Sequence, residues 1–222
     1  PLLLSIPAVL MSGNMNILGI GAHPDDLEFG CGGTFYKLAR KGHKIHMLVI
    51  TRGSVGGDPR LRLAEQERAA AMLKAKLYWG GFEDTGVTLN RELLRAIEER
   101  VEAIKPDIVL VNHAADTHQD HRNVARAVET AARYMKNLLF YEVPTTMDFN
   151  PGIFTDIGAV ISKKVALLKC HSSQVYKTRV KNLSIVESAK AAAIFRGYQD
   201  RVKYAEGFVA RRLLLDYLLN GK

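Results

Sequence analysis

The chain has 222 residues, of which 47% are hydrophobic and 24% are charged, as is typical of a globular protein with one domain. Its two cysteines, Cys31 and Cys170, form no CxxC pair. This excludes a disulfide framework and a thiolate zinc site, and it favours a reducing, cytoplasmic location. The formal net charge is +8, but the basic residues are scattered and form no nucleic-acid motif, so we exclude nucleic acid as a partner.

The first ten residues, PLLLSIPAVL, form an apolar run with no basic leader, and the run is too short to span a bilayer. No other stretch has the length and hydropathy of a membrane span. We expect residues 1–15 to be an N-terminal extension, with packing on the surface as the alternative. Residues 16–222 are expected to form a single domain.

Short apolar runs alternate with longer amphipathic segments from residue 16 to residue 143. The strand-like runs are, in chain order, NILGIGA, KIHMLVIT, LYWGG, DIVLVNH and NLLFYEV. The helix-like segments are GGTFYKLARKG, PRLRLAEQERAAAMLK, residues 91–104 and the residues after His121. This alternation predicts an α/β fold, a Rossmann-like three-layer sandwich with a mostly parallel sheet and helices on both faces.

The pattern weakens after Pro144. The stretch TTMDFNPGIF indicates a loop, DIGAVIS predicts a further strand, KKVALLKCHSSQ predicts a helix, and residues 187–197 predict a last amphipathic helix. The C-terminal VARRLLLDYLL is apolar enough to dock either on the core or on a neighbouring subunit, so a homo-oligomer is one of two alternatives.

Three polar clusters come directly after predicted strands. HPDDLE follows the first strand, TRGSVGGD the second and HAADTHQDHR the fourth. In an open parallel sheet the ligand crevice lies at the carboxyl ends of the strands. We therefore expect the three clusters to meet in one crevice.

The first and third clusters carry the residue types of a metal site. Pro24 restricts the backbone at His23 and holds that imidazole on a stiff turn, although each aspartate that follows is also a good helix N-cap. In the third cluster two histidines stand three residues apart with a carboxylate between them. Together the two clusters offer a His, Asp, His ligand set, and further groups remain for acid and base chemistry.

The sequence resembles the zinc-dependent N-deacetylases of the PIG-L and LmbE type, which act on N-acetylglucosamine-containing glycolipids, glycosides and related sugars. The resemblance extends over nearly the whole chain from residue 16. AHPDD followed by HxDH is specific to this family, whereas the last two motifs are weak alone. The five motifs are AHPDD (22–26), TRG (51–53), DTHQDH (116–121), HSSQ (171–174) and YAEGF (204–208).

Two positions depart from the family pattern. Gln119 stands where many members have proline, and Glu83 replaces the proline of the family's FPDG loop. Neither change removes a ligand or a base. The second one alters the loop that bears on substrate choice.

The resemblance implies roles for six side chains and a Zn²⁺ cofactor, with Fe²⁺ as another divalent metal that the site would accept. It implies that His23, Asp26 and His121 bind the metal and that Asp25 is the general base. It also implies that His118 assists at the oxyanion or leaving amine and that Asp120 orients His118. Three protein ligands leave a position open for water, and a catalytic zinc lowers the pKa of that water to about 7. A hydrogen bond from the ring N–H of His118 to the Asp120 carboxylate is expected to raise the pKa of His118.

Other residues have two interpretations each. Arg52 either binds a sugar hydroxyl or phosphate or lies on a surface loop. Asp84 either lines the pocket or serves a turn. His171 either supports the site or interacts with a helix C-terminus. We interpret the three remaining histidines, His43, His46 and His113, as structural residues.

The favoured function is metal-dependent hydrolysis that removes an acetyl group from the amide nitrogen of an N-acetylated amino sugar or its conjugate. Two histidines and one carboxylate also describe a non-heme iron oxygenase, but the parallel α/β order and the spare Asp25 disfavour it. A third alternative is a metal-dependent sugar-binding protein without turnover. Since binding needs no base, Asp25 with His118 and Asp120 disfavours this alternative too.

Overall fold

The structure, a computed structural model, describes residues 13–214 of the chain. Most of the predicted N-terminal extension and the end of the apolar C-terminal segment lie outside the described residues. No helix in residues 13–214 is long and apolar enough to span a membrane.

A seven-stranded sheet with the order β3-β2-β1-β4-β5-β7-β6 forms the centre of the molecule. The strands are β1 (Asn16–Gly21), β2 (Lys44–Thr51), β3 (Lys76–Phe82), β4 (Ile108–Asn112), β5 (Leu138–Tyr141), β6 (Ile153–Asp156) and β7 (Ala205–Arg212). The first five strands are parallel, and β7 runs antiparallel to both β5 and β6. The sheet is therefore mostly parallel, as the sequence predicts.

In the part of the chain that the structure describes, six helices cover the two faces of the sheet. They are α1 (Asp26–Arg40), α2 (Pro59–Leu73), α3 (Arg91–Ile104), α4 (Gln119–Ala131), α5 (Ile161–Cys170) and α6 (Ile185–Gln199). Adjacent strand residues point to opposite faces, so Ile17 packs in the core with α1, α2, α5 and α6, while Leu18 packs in the core with α3 and α4. This three-layer arrangement confirms the predicted α/β class.

Helix α1 is broken at its middle, where Cys31 has non-helical φ and ψ angles of −142° and 17°. Lys164 of α5 donates to the Phe29 carbonyl before the break. Glu206 of β7 accepts the backbone N–H of Gly33 after the break at 2.8 Å. The two charged side chains lie 2.5 Å apart and are each 3% exposed, so one buried ion pair satisfies both cut ends of the helix.

Two predictions for the C-terminal third are wrong, because DIGAVIS is not a strand and the predicted loop TTMDFNPGIF runs into β6. The predicted strand DIGAVIS is a short 3-10 turn, Gly158–Val160, followed by the start of α5, and the strand β6 lies just before it. The apolar side chains of Ile157 and Val160 pack against Ala193 of α6, which accounts for the apolar pattern of this segment. The VARR segment is the end of β7, and the predicted helix KKVALLKCHSSQ ends before HSSQ.

Candidate active site

A crevice of about 600 Å³ opens where the five parallel strands end. Strands β1 and β4 are neighbours, although β2 follows β1 in sequence, so the chain changes direction across the sheet at this point. Ligands bind at such switch points in open α/β sheets. Residues after each parallel strand line the crevice, among them Asp25, Val55, Asp84, His118 and Val143. The three polar clusters meet there, as the sequence predicts.

Three potential metal-ligand atoms from two separate segments lie close together in the crevice. His23 Nδ1 is 3.1 Å from His121 Nε2 and 3.8 Å from Asp26 Oδ2, and His121 Nε2 is 3.5 Å from Asp26 Oδ2. Ligand atoms of a tetrahedral zinc site lie about 3.4 Å apart when each metal–ligand bond is about 2.1 Å. The donor set and its spacing therefore fit a divalent cation.

The second nitrogen of each histidine faces a carboxylate. His23 Nε2 is 3.0 Å from Asp84 Oδ1 and 3.0 Å from Asp120 Oδ2, and His121 Nδ1 is 3.1 Å from Asp116 Oδ1. Because a carboxylate only accepts, the contacts place protons on these two nitrogens. The lone pairs of His23 Nδ1 and His121 Nε2 then face each other, and they require a proton or a cation between them.

Two other groups of three potential ligands share His23 within residues 13–214. One contains His118 and His121, and the other contains Asp84 and Asp120. The second group surrounds Nε2, the nitrogen that faces away from His121, and its carboxylates support the ring. The first group makes His118 the competitor of Asp26 for the third ligand position.

Without a metal, His23 holds a proton. Burial alone lowers the pKa of His23, but hydrogen bonds to Asp120 and Asp84 and the charge of Asp26 raise it to about 10. The protonated ring can donate from Nδ1 to His121 Nε2, which lies 3.1 Å away. A bound cation replaces this proton, so metal binding is coupled to proton release.

Asp25 has an unusual backbone conformation directly beside Asp26. Its φ is 89° and its ψ is −21°, in a region that costs a non-glycine residue about 1–3 kcal/mol. Arg62 Nη2 donates to Pro24 O at 2.7 Å and to Asp25 Oδ2 at 3.4 Å, and Gln66 Oε1 accepts the Asp25 N–H at 3.3 Å. Burial raises the pKa of Asp25 to about 6, and the Arg62 charge opposes that rise.

The predicted bond between Asp120 and the His118 ring is wrong. The Asp120 carboxylate bonds His23 Nε2 and accepts the Thr85 N–H at 2.8 Å. The ring of His118 instead accepts the Asp120 backbone N–H at its Nδ1 at 3.2 Å and so caps α4. The predicted rise in the pKa of His118 is also wrong, because burial and the charges of His23 and His121 lower it.

The structure places the two predicted substrate-binding residues differently. Asp84 lines the crevice, where its Oδ1 faces His23 and its Oδ2 accepts the Val55 N–H at 2.7 Å. Arg52 is exposed and is not among the residues that line the crevice, which favours its interpretation as a surface-loop residue. A different arginine, Arg62 of α2, occupies the crevice.

The TRG and HSSQ motifs have structural roles beside the crevice. Arg62 Nη1 donates to Gly53 O at 2.9 Å, and a Cβ atom at Gly53 would overlap that guanidinium group. Glu65 accepts from the hydroxyls of Ser172 and Ser173 at 2.9 and 2.6 Å. His171 is buried and is the C-cap residue of α5. Neither Arg62 nor Glu65 belongs to a recognisable sequence motif, although the two stand three residues apart on one face of α2.

The lining of the crevice also includes apolar side chains, which stand beside the polar Gln174, Thr178 and Arg179. The apolar residues come from the loop after β2, from the end of β5 and from the segment between α5 and α6. We call these apolar residues the outer wall, which consists of Val55, Val143, Pro144, Val180, Leu183 and Ile185. Val55 and Val180 are 68% and 58% exposed. We call the titratable part of the lining the floor, and it consists of His23, Asp25, Asp26, Asp84, His118 and His121. The crevice thus combines a charged floor with an apolar wall that is open to solvent.

Residues 18–132, which are more than half of the chain, match the family model described as PIG-L: GlcNAc-PI de-N-acetylase. The chain belongs to the PIG-L family. This match confirms the family that the AHPDD and DTHQDH motifs predict.

Three curated relatives are similar over most of their length. The uncharacterized deacetylase YaiS of Escherichia coli (strain K12) is 35% identical and aligns over 75% of this chain and 96% of its own. Diacetylchitobiose deacetylase of Thermococcus kodakarensis is 28% identical, over 86% of this chain and 81% of its own. The 4-oxalmesaconate hydratase of Pseudomonas putida is 22% identical, over 86% of each chain.

A solved structure supports the fold class. The conserved protein TT1542 from Thermus thermophilus superposes with a TM-score of 0.81 and is 27% identical. The superposition covers 90% of this chain and 96% of that one. The three-layer α/β fold is therefore shared with a solved protein over almost its full length.

Proposed function

We propose that the chain is a metal-dependent deacetylase, with Zn²⁺ as its cofactor, that removes the acetyl group from the amide nitrogen of an N-acetylated amino sugar or its conjugate. The observation that carries this proposal is the arrangement of His23, Asp26 and His121. Two ring nitrogens and one carboxylate oxygen lie 3.1–3.8 Å apart, and a second carboxylate stands next to them in sequence.

The ligands in this proposal are His23 through Nδ1, His121 through Nε2 and the carboxylate of Asp26. When bound, the cation polarises the acyl oxygen and acidifies a water molecule. Asp116 and Asp120 hold the histidine rings in the tautomers that leave those two nitrogens unprotonated.

Asp25 is the general base in this proposal. Its carboxylate lines the crevice, and a pKa raised to about 6 leaves it ionised but basic near neutral pH. Arg62 bonds one of its oxygens at 3.4 Å, so the other oxygen can accept a proton from the attacking water. The same carboxyl group can then pass this proton to the amine nitrogen as the C–N bond breaks, which leaves acetate and the free amine as products. Asp26 is not available for this role, because its Oδ2 faces both histidines.

His118 acts on the other side of the reacting carbonyl as a neutral hydrogen-bond donor. Its Nδ1 accepts the Asp120 N–H, so the ring proton resides on Nε2. Because the pKa of His118 is lowered, the ring is uncharged at neutral pH and donates to the acyl oxygen as negative charge develops there. This role replaces the protonated acid that the sequence alone suggests.

The outer wall supports a conjugated sugar as substrate. A group attached to the sugar can rest on Val55, Val180 and Leu183 while the acetamide lies at the floor. One relative carries the name diacetylchitobiose deacetylase, which describes an N-acetylated sugar substrate for that protein.

The test is metal analysis of the purified protein followed by amine release from N,N′-diacetylchitobiose and from apolar N-acetylglucosamine conjugates. We expect about one zinc per chain, and amine release that Asp25→Asn slows by about a hundredfold or more. Hydration of 4-oxalmesaconate without amine release would favour the activity named for the hydratase relative. Oxygen consumption with bound iron would indicate an oxygenase, and tight sugar binding without product would indicate a binding protein.

A further inference from the structure

Asp25 needs partners that keep its backbone in place. A φ of 89° is a conformation that L side chains rarely adopt, and the carboxylate of the proposed base depends on it for its direction. The Asp25 N–H donates to Gln66 Oε1 of α2 at 3.3 Å. Gln66 is 0% exposed, so no water competes for this contact.

The orientation of the Gln66 amide follows from the chemistry of its second partner. Gln66 Nε2 donates to Glu28 Oε1 at 2.7 Å. A carboxylate only accepts, so the nitrogen of the amide must face Glu28 and the oxygen must face the Asp25 N–H. Gln66 therefore ties the strained residue to the next turn of the same helix, α1.

The second oxygen of Glu28 faces His171 of the HSSQ motif. Glu28 Oε2 lies 3.4 Å from His171 Nε2, and the two side chains are 0% and 1% exposed. Burial alone lowers the pKa of His171, but the Glu28 carboxylate raises it above its ordinary value. The Glu28 side chain thus lies between Gln66 and His171, and its Oε1 is the acceptor that orients Gln66.

We propose that Gln66, backed by Glu28 and His171, is a positioning residue that holds Asp25 in its left-handed conformation for catalysis. The inference rests on the proposed function of Asp25 as the base. Within residues 13–214, the side-chain hydrogen bonds of Gln66 go only to Asp25 and Glu28. Gln66 therefore affects the base without touching the three proposed metal ligands.

The first arm of the test is kinetic. Gln66→Met keeps the length of the side chain and removes the acceptor, and we expect kcat to fall about tenfold to a hundredfold, because small displacements of a catalytic group have effects of this size. KM and zinc content should stay within twofold. Glu28→Gln should keep most of the activity, because its amide can accept from Gln66 and donate to neutral His171, whereas Glu28→Leu should resemble Gln66→Met.

The second arm asks whether Gln66 acts through Asp25. In an Asp25→Asn background, Gln66→Met should lower kcat by less than about twofold, because residues that act as one unit are not additive. Leu73→Ala is the matched control: it lies on the same helix, is 1% exposed and packs in the core. It should lower Tm and leave kcat unchanged.

The third arm needs no activity. Asp25→Gly and Asp25→Ala both lack the carboxylate, but only glycine takes a φ of 89° freely, so Asp25→Gly should melt about 2–6 °C higher. This gap should shrink in a Gln66→Met background, where the backbone can relax. A gap of equal size in both backgrounds would overturn the proposal.

The three arms distinguish failure of the positioning role of Gln66 from failure of the proposed deacetylase function. No amine release by the wild type would reject the proposed function, and the glycine–alanine gap alone would then decide the positioning role. Unchanged kcat in Gln66→Met, an equal loss in the Asp25→Asn background, or loss of zinc would reject the positioning role while the deacetylase proposal stands. If Gln66→Met does not fold, Glu28→Leu takes its place in every arm, and Glu28→Gln serves as the control that keeps the acceptor.

Discussion

The floor of the crevice and its outer wall are built from opposite kinds of contact. On the floor, both ring nitrogens of His23 and of His121 face named partners, and the two residues are 8% and 4% exposed. On the outer wall, Val55 and Val180 are mostly exposed and contribute apolar surface. The floor is held in one geometry, whereas the wall can adapt to what rests on it.

This difference separates chemistry from substrate choice. A fixed set of donors is required wherever charge develops in the transition state. Apolar contact with a distant part of the substrate needs area and little direction. Substitutions on the floor should therefore reduce kcat or metal binding, and substitutions on the wall should change KM.

The largest effect is expected from removal of a metal ligand. Asp26→Ala and His121→Ala should lose bound zinc and activity together, because two remaining protein ligands hold the cation poorly. Folding should largely survive, as circular dichroism can check. Asp200→Asn, an exposed aspartate at the end of α6, is the control and should keep both zinc and activity. Full zinc occupancy in either variant would contradict the ligand assignment.

The affinity for zinc should depend on pH with a definite sign. At neutral pH the cation must displace the proton that His23 holds with a pKa of about 10. Affinity should therefore rise by about tenfold per pH unit as pH increases from 6 to 9. Competition titrations with a chelator of known protonation measure this slope, and an affinity independent of pH would contradict the assignment of that proton.

Removal of the base is expected to be the next largest effect. Asp25→Asn should keep its zinc and lose about a hundredfold or more in kcat, the size typical of a positioned base. In the wild type, kcat/KM should decrease as pH falls through about 6 or lower, because protonated Asp25 accepts no proton and a bound cation lowers its pKa further. If Asp25→Asn loses zinc while Asp26→Asn keeps it, the two carboxylates have exchanged roles.

His118 and Asp120 should now behave as separate residues. His118→Ala should lower kcat about tenfold to a thousandfold with zinc retained, because it removes a donor to the developing charge. Asp120→Asn should instead weaken zinc binding about tenfold to a hundredfold, because that carboxylate supports His23. Effects that add in the double variant would sharpen this distinction. A double variant no worse than His118→Ala would restore the shared unit that the sequence suggests.

The smallest effects belong to the wall and the surface. Leu183→Ala should raise KM severalfold for apolar conjugates and leave free N-acetylglucosamine unaffected, since it removes apolar contact away from the acetamide. Exposed Arg52→Ala should change neither kinetic constant. A kcat loss in Leu183→Ala, or a KM change in Arg52→Ala, would break the division between floor and wall.

The sequence was sufficient for the parts of the fold that depend on local periodicity. The runs NILGIGA and KIHMLVIT predict β1 and β2, and residues 91–104 predict α3 with its observed bounds. The strand Ile153–Asp156 was missed because it is short and lies at the edge of the sheet, with only part of each side chain buried. Its neighbour DIGAVIS is apolar because of packing on α6, which the sequence alone does not reveal.

The same limit applies to the site. Clusters at the ends of β1 and β4 meet because parallel strands end at one edge, so the proximity of His23 and His121 was predictable. Asp120 is two residues from His118 in sequence, but the start of α4 directs its carboxylate to His23, which is 97 residues away. Gln66 offers no motif, and its contacts arise only when α2 packs on α1.

The ion pair across the break in α1 places a constraint on synthesis of the chain. Glu206, whose carboxylate accepts the Gly33 N–H, lies 173 residues after Gly33 in the sequence. At about 5–20 residues added per second, the acceptor is made roughly 10–35 s after the helix that needs it. During that interval the N–H groups after the break lack this acceptor. The HPDD turn begins the same helix, so the chain should acquire tight zinc binding only after Glu206 has been synthesised and has paired with α1.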